Sequence, residues 1–136
     1  MIKPIVKDVL FLSQPSAPAT RADVYIGRDL SDTLAAHAQE CVGMAANMIG
    51  YKKRVIIANI GFLNLVMYNP VIVQKSGPYQ TEEGCLSLSG KRPCTRWQKI
   101  TVEFQDAGFV KRRQEFTGWP AQIVQHEVDH LEGILI

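Results

Sequence analysis

The sequence predicts an α+β fold in which mostly antiparallel strands lie around a helix near the C-terminus. Two helical segments are far apart in the chain, and several strand-like segments are grouped between them. This grouping is typical of α+β folds, whereas regular alternation of strands and helices would predict a parallel sheet. A chain of 136 residues is expected to form one domain that spans residues 1–136.

The first helix is predicted to follow a loop rich in proline and serine, residues 13–20. Thr20 and Asp23 have the spacing of a capping box, with aspartate in place of the usual glutamate or glutamine. Apolar residues then recur at every fourth position: Ile26, Leu30, Leu34 and Ala38. This spacing predicts a helix that ends near Glu40, although Gly27 weakens its early part.

Three segments between the helices predict strands. Residues 54–60 form a β-branched run, which indicates a buried strand. Residues 64–73 predict a second strand, interrupted by a turn at Asn69–Pro70. Residues 99–106 alternate apolar and polar side chains, which indicates a strand with one buried face. The N-terminal residues 1–16 are expected to form an ordered strand or an extended arm.

The second helix is predicted over residues 117–133. Thr117 can cap it, Pro120 is tolerated in its first turn, and Gly133 marks its end. This helix carries the sequence QHEVDH at residues 125–130. The protein is therefore expected to present this short motif from a rigid element.

The motif predicts a metal site. In a helix, positions i and i+4 lie about 40° apart on one face, so His126 and His130 can bind one ion. Glu127 is turned roughly 100° from His126, so it can flank the metal without binding it. Two histidines and a flanking glutamate are typical of a hydrolytic site with a carboxylate general base. Such a site needs a third protein ligand from elsewhere in the chain.

The remaining histidine and the cysteines supply the candidates for that ligand. His37 is expected to be an ordinary helix residue, and Cys41 and Cys94 have no local partner, which favours small buried side chains. Cys85 differs because a glycine precedes it in the loop-like segment EEGCLSLSG, where a packed helix can reach its thiolate. An odd number of cysteines argues against a disulfide framework and fits a reducing cytoplasm.

Composition excludes several classes of function. The net charge is +2 without a long basic run, so neither a nucleic acid nor an anionic membrane is expected as a partner. No apolar stretch approaches the ~18 residues of a transmembrane helix. The N-terminus lacks the features of a signal peptide. The protein is expected to be cytoplasmic.

The segments EGCLS (residues 83–87) and QHEVDH together resemble the signature motifs of peptide deformylases. These enzymes remove the formyl group from the N-terminal methionine of new bacterial and organellar proteins. A third family motif, G-x-G-L-A-A-x-Q, is similar to CVGMAANM at residues 41–48. The resemblance runs along nearly the whole chain and implies a single peptide-deformylase-like domain, residues 1–136, with the fold of that family.

The resemblance also implies the roles of individual residues. Cys85, His126 and His130 would bind one divalent metal ion, with Fe²⁺ expected in the cell and Zn²⁺, Ni²⁺ or Co²⁺ as alternatives. Glu127 would handle the protons of hydrolysis, and the backbone N–H of Leu86 would stabilise the oxyanion. The other implied positions are Val42 and Gly43 beside the substrate, Gly43 also among the catalytic residues, and Arg92 near the substrate's C-terminal side.

The resemblance further implies the partners and two supporting positions. N-formylmethionyl peptides or nascent chains would be the substrates, with the ribosome surface as a further candidate partner. Gln125 and Asp129 match motif positions without being ligands, and Asp129 is expected to support the site or pack the helix.

One motif position departs from the family in its chemistry. Met48 stands where the motif has a glutamine whose amide is the second oxyanion donor, and a thioether cannot donate a hydrogen bond. Loss of one such donor typically costs ~10²–10³ in turnover. Asn47 is not expected to replace it, because adjacent side chains of an extended loop face opposite sides.

Three hypotheses about function stay open at this point. The first is a deformylase, attenuated by the loss of the motif glutamine. The second is a paralogue that binds metal and peptides with little or no catalytic activity. The third is an endoprotease of the zincin type that shares only the two-histidine helix, and a cysteine ligand argues against it because zincins commonly add histidine or glutamate.

Overall fold

The computed structural model describes residues 1–85 and 87–136, and its main feature is a five-stranded antiparallel sheet. The strands follow one another in chain order across the sheet: β1 (Gly43–Ala45), β2 (Val55–Asn59), β3 (Asn64–Cys85), β4 (Leu88–Gln105) and β5 (Lys111–Thr117). The α-helices are α1 (Val9–Leu12), α2 (Val24–Ala36) and α3 (Gly118–Leu131). The prediction of an α+β fold with antiparallel strands around the C-terminal helix is confirmed.

The N-terminal part contains one helical turn that the sequence did not indicate. Residues 1–8 have no regular secondary structure, and α1 then begins with Asp8 accepting a hydrogen bond from the backbone N–H of Leu10. The prediction of a strand here was wrong, and the prediction of an extended arm holds only for residues 1–8. The short side chain of Asp8 satisfies a free N–H at the start of the turn, as N-cap residues do.

Helix α2 begins as predicted, and it ends earlier. The backbone N–H of Thr20 donates to Asp23 Oδ2 at 2.8 Å, and a 3₁₀ turn at Arg21–Asp23 leads into the helix. The helix ends at Ala36, and residues 37–40 form turns, so the predicted end near Glu40 was wrong. The apolar spacing continues to Ala38, but the helix does not. Ala38 is exposed and adds nothing to the buried face of α2.

Gly27 has a packing role inside α2. A Cβ atom at this position would lie 2.1 Å from the hydroxyl oxygen of Tyr68, which is itself buried and donates to the carbonyl of Val24 at 2.7 Å. The glycine lets the helix approach β3 closely. Glycine lowers the helix propensity at this position, but it leaves room for the buried side chain of Tyr68.

Strand β3 is much longer than the sequence indicated. It continues through Asn69–Pro70, where the pairing with β4 shifts register between Tyr68 and Val71. Asn69 adopts a φ of 54°, and its side chain bonds both the N–H and the carbonyl of Ala19. The predicted turn is therefore an irregularity within one strand, because proline removes a ladder donor at a bulge without ending the strand.

Strands β3 and β4 form one long hairpin. Ile100, Val102 and Phe104 are buried as the alternation predicted, and β2 is buried along most of its length. The outer part of the hairpin, including residues 88–98 of β4, was missed because its exposed residues show no clear period of two. The short strand β1 and the strand β5 were missed as well.

Helix α3 packs against the sheet and carries the predicted motif. Thr117 is the N-cap residue by its extended backbone, but its side chain makes no capping hydrogen bond. Gly133, with a φ of 78°, follows the helix as predicted. None of the helices in residues 1–85 and 87–136 is long and apolar enough to cross a membrane.

Substitution of Gly27 by alanine is expected to lower the free energy of unfolding by about 1–2 kcal/mol. Overpacking a buried site costs ~1–3 kcal/mol, which outweighs the gain in helix propensity of up to ~1 kcal/mol. Thermal unfolding of the Gly27→Ala variant measures this loss. The penalty should shrink in a Tyr68→Phe background, where the clashing hydroxyl is gone, and a rise in Tm for Gly27→Ala alone would contradict the packing role.

Candidate metal centre

The two motif histidines face one another on the buried side of α3. Their Nε2 atoms are 3.0 Å apart, and both residues are buried. Cys85 lies at the end of β3, where the hairpin passes beside the helix. The ligand atoms of Cys85, His126 and His130 all lie within 4.8 Å of one another. The three residues therefore form a possible metal site.

The chemistry of these donors fits a divalent transition metal. A thiolate and two imidazoles are a common ligand set for zinc, iron, cobalt and nickel ions. Cys85 Sγ accepts a hydrogen bond from the backbone N–H of Ser87 at 3.4 Å. His126 engages Glu83 through Nδ1 and keeps Nε2 on the side of the other ligands.

A buried ionic network that motif analysis missed surrounds His126. Its Nδ1 lies 2.7 Å from Glu83 Oε1, and Glu83 forms a salt bridge with Arg96 at 2.7 Å. Arg96 also bonds Asp129 at 2.7 Å. The expectation that Asp129 supports the site or packs the helix agrees with this contact. Arg96 lay in the missed outer part of β4, so no sequence pattern connected it with the motif.

The network shifts the pKa of Glu83. Burial alone would raise it, but hydrogen bonds from His126, Arg96 and Gln122 outweigh burial and lower the pKa to about 2. Glu83 is therefore a carboxylate over the whole physiological range. Burial lowers the pKa of His130 to about 3, so this imidazole is neutral at physiological pH, as a metal ligand must be.

Glu127 lies beside the possible metal site in a desolvated position. It is 4% exposed, and among residues 1–85 and 87–136 its Oε1 atom has no hydrogen-bond partner. Burial raises its pKa to about 7. A carboxyl group with this pKa both accepts and donates protons near neutral pH, as a general base must.

Gly43 on β1 fits against Glu127. A Cβ atom at Gly43 would lie 2.9 Å from Glu127 Oε2 and 2.7 Å from Ile123 Cγ2. Only a glycine lets this edge strand approach the carboxylate so closely. The backbone of β1 therefore forms one wall of the space above Glu127.

A cleft of about 460 Å³ opens in front of these residues. The predicted positions Val42, Gly43 and Met48 line it, together with Cys85, His126 and Glu127. Val42 is 41% exposed at its rim. Arg92 does not line the cleft; its guanidinium bonds the carbonyl of Ser89, and the neighbouring Lys91 lines the cleft instead. The predicted role of the Leu86 backbone concerns a residue outside those that the structure describes.

Met48, which stands where the family motif has a glutamine, is buried at the side of the cleft. Met48 is 1% exposed, and its sulfur accepts a hydrogen bond from the backbone N–H of Ala45 at 3.4 Å. It lies in a 3₁₀ turn, Ala46–Ile49, and not in an extended loop. Asn47 donates to the carbonyl of His130 at 2.9 Å, so its amide is used in holding α3.

The other histidine and the other two cysteines are not part of this cluster of donors. His37 is in the turn after α2 and bonds Glu40 at 2.8 Å. Cys94 is half-buried on the outer part of β4. Cys41 lines the cleft, and burial raises the pKa of its thiol to about 11, so it stays protonated. Gln125 is no ligand, because its amide bonds the N–H and the carbonyl of Trp97 at 2.8 Å each.

Comparison with known proteins agrees with this geometry. A family model described as Polypeptide deformylase matches residues 2–136. A peptide deformylase of Clostridium beijerinckii is 54% identical over 136 residues, the full length of both chains. One of Heliobacterium modesticaldum is 37% identical over 130 residues, which are 91% of this chain and 83% of that protein.

A solved structure shares the fold. The class I type b peptide deformylase from Acinetobacter baumannii with bound Met-Ala-Ser has a TM-score of 0.88 and 31% identity to this chain. The match covers 99% of this chain and 97% of that one. The predicted peptide-deformylase-like fold is thereby confirmed, and the chain belongs to the peptide deformylase family.

Proposed function

We propose that this protein hydrolyses the formyl group from the N-terminal formylmethionine of nascent peptides, with Cys85, His126 and His130 as the ligands of one divalent metal ion. The observation that carries the proposal is the clustering of these three donors beside the buried Glu127, with Cys85, His126 and Glu127 lining a cleft. The comparisons give no support to an inactive paralogue, since the full-length relative from Clostridium beijerinckii is named a peptide deformylase.

A metal ion held by Cys85, His126 and His130 would supply Lewis-acid chemistry. A divalent ion held by these ligands would polarise the formyl carbonyl and lower the pKa of a water molecule. We expect Fe²⁺ in the cell, while the donor set itself also suits Zn²⁺, Ni²⁺ and Co²⁺.

Glu127 is the proton carrier in this proposal. It takes a proton from the attacking water and passes it to the nitrogen that leaves as the new N-terminal amine. Its burial supports this role, because a carboxylate without hydrogen-bond donors is a stronger base than a solvated one. The glycine at position 43 keeps the space above the carboxylate open for the formyl group.

The oxyanion would be stabilised by fewer donors than the family motif provides. The backbone N–H of Leu86 is the proposed donor, and Met48 stands where the motif has a glutamine amide. Asn47 is not proposed to take over this role, because it is fully buried, its amide donates to the carbonyl of His130, and it is not among the described residues that line the cleft. An intact ligand set and an intact base support activity at a reduced turnover.

The substrates are nascent chains in the cytoplasm, and the ribosome surface is a proposed place of encounter. Val42 and Gly43 are proposed to run along the peptide backbone. Arg92 stays a predicted contact to the C-terminal side of the substrate, with Lys91 as the basic residue that lines the cleft.

A direct assay tests the proposal. The protein is purified without oxygen, its metal content is determined, and release of the free amine from formyl-Met-Ala-Ser is measured. Turnover that disappears with a chelator and returns with Fe²⁺ or Co²⁺ is expected. Stoichiometric metal with no deformylation of this peptide at any concentration would contradict the proposed function.

The variant Cys85→Ala is expected to weaken metal binding by more than ~100-fold, since loss of even an outer partner of a ligand costs ~10–100-fold. Competition with a chromophoric chelator measures the affinity. Cys94→Ala is the matched control, because Cys94 is not one of the three clustered donors; it should keep full metal stoichiometry, and any effect through its neighbour Glu83 should stay far below the loss in Cys85→Ala. Equal losses in both variants would refute the assignment of Cys85.

The variant Glu127→Gln is expected to keep the metal and lose ~10²–10⁴ in kcat, because the amide matches the carboxylate in shape and cannot carry the proton. Metal content and kcat are measured on the same preparation. A Glu127→Gln protein that loses its metal would show that Glu127 is part of the ligand set and not the base.

The variant Met48→Gln is expected to raise kcat by ~10-fold or more, and by up to ~10³ if the amide reaches the oxyanion. The new amide would begin where the sulfur of Met48 now lies, so its oxygen can accept from the N–H of Ala45 while its nitrogen faces the cleft. KM should change less, because the donor acts on charge that develops in the transition state.

The control for this substitution is Met48→Leu, which removes the sulfur without adding a donor and should bring no gain. Tm is measured beside the kinetics, because a buried amide without a partner destabilises the fold. A stable, fully metal-loaded Met48→Gln variant with unchanged kcat would show that a missing donor does not limit this enzyme.

A further inference from the structure

The carboxylate of Glu83 is held from several directions. Arg96 donates from Nε to Oε2 at 3.0 Å and from Nη2 to Oε1 at 2.7 Å. Gln122 donates from Nε2 to Oε2 at 2.8 Å. His126 Nδ1 lies 2.7 Å from Oε1. Both oxygens are thus saturated, and the carboxylate has little freedom to rotate.

The positive charge of Arg96 compensates the negative charge of the buried Glu83 carboxylate. It is 4% exposed, and it bonds Glu83 on β3 as well as Asp129 on α3 at 2.7 Å. One guanidinium on β4 therefore joins the hairpin to the helix that carries the two histidines. Removal of the arginine would leave Glu83 as a buried carboxylate without a cation, and such a group moves or is protonated.

The two histidines differ in their support. His126 has a carboxylate on Nδ1, whereas His130 Nδ1 has no hydrogen-bond partner among the residues that the structure describes. A carboxylate on one ring nitrogen fixes the tautomer and leaves the other nitrogen free to bind a metal. The orientation of the His126 ring depends on Glu83, whereas within residues 1–85 and 87–136 no group bonds the Nδ1 atom of His130.

We propose that Arg96 and Gln122 are positioning residues of the metal centre, because they hold the Glu83 carboxylate that orients the His126 ring toward the metal. Arg96 has the larger part, since it supplies the charge and two of the hydrogen bonds. Gln122 has the smaller part: its amide supplies one hydrogen bond, and its oxygen accepts from the hydroxyl of Tyr79 at 3.2 Å. This inference rests on the proposed metal site.

The test compares Zn²⁺ affinity by chelator competition in the wild-type protein and in Arg96→Met, Arg96→Lys and Gln122→Leu. Loss of an outer partner is expected to weaken binding ~10–100-fold in Arg96→Met and less in Gln122→Leu. Arg96→Lys should recover part of the affinity, because it restores the charge without the two-pronged contact. The control is Arg113→Met, which removes an exposed arginine paired with Glu103 on the far part of the sheet.

A second readout separates positioning from general loss of structure. In the Zn²⁺-loaded protein, the ¹⁵N resonances of the imidazoles report ring tautomer and environment. Arg96→Met should shift the resonances of His126 and leave those of His130 in place. A merely structural role of Arg96 would lower Tm without this selective shift.

The outcomes are distinct. Wild-type protein that fails to bind Zn²⁺ would overturn the proposed metal site itself. Wild-type binding together with a folded Arg96→Met variant of unchanged affinity would overturn the positioning role alone. If Arg96→Met does not fold, Gln122→Leu decides, because it keeps the salt bridges: weakened binding with a shifted His126 supports the inference, and unchanged values overturn it.

Discussion

The structure depends on one contact, between helix α3 and the end of the β3–β4 hairpin. The helix brings two imidazoles from consecutive turns, and the hairpin brings the thiol of Cys85. Neither element forms a three-donor site alone. The salt bridges of Arg96 to Glu83 and Asp129 join the two elements at this place, so the same residues that hold the fold together also set the geometry of the donors.

Hydrogen-bond donors explain why two buried carboxyl groups at this contact behave differently from one another. Glu83 has donors on both oxygens, and its pKa falls to about 2. Glu127, one residue from His126, has an oxygen without a donor, and burial raises its pKa to about 7. Two carboxyl groups in one centre thus have separate tasks, since one fixes a ligand and the other is free to exchange a proton.

The local parts of this arrangement could be predicted from the sequence. The i, i+4 spacing of His126 and His130 depends only on helix geometry, and the apolar alternation around Val102 depends only on a half-buried strand. Cys85 could be distinguished from the other two cysteines by the EGCLS motif around it. The network around Arg96 could not be predicted, because it needs the register of a long hairpin whose exposed residues carry no period. Met48 was recognised as a departure, but its place in a 3₁₀ turn beside Ala45 depends on how β1 ends against α3.

In the proposed enzyme, one thiolate and two imidazoles from these elements hold the metal. X-ray absorption at the metal edge of the active, Fe²⁺- or Zn²⁺-loaded protein tests it most directly. We expect one sulfur neighbour, at ~2.3 Å for zinc, and two imidazole nitrogens at ~2.0–2.1 Å. A spectrum without a sulfur neighbour in a preparation with full activity would contradict it.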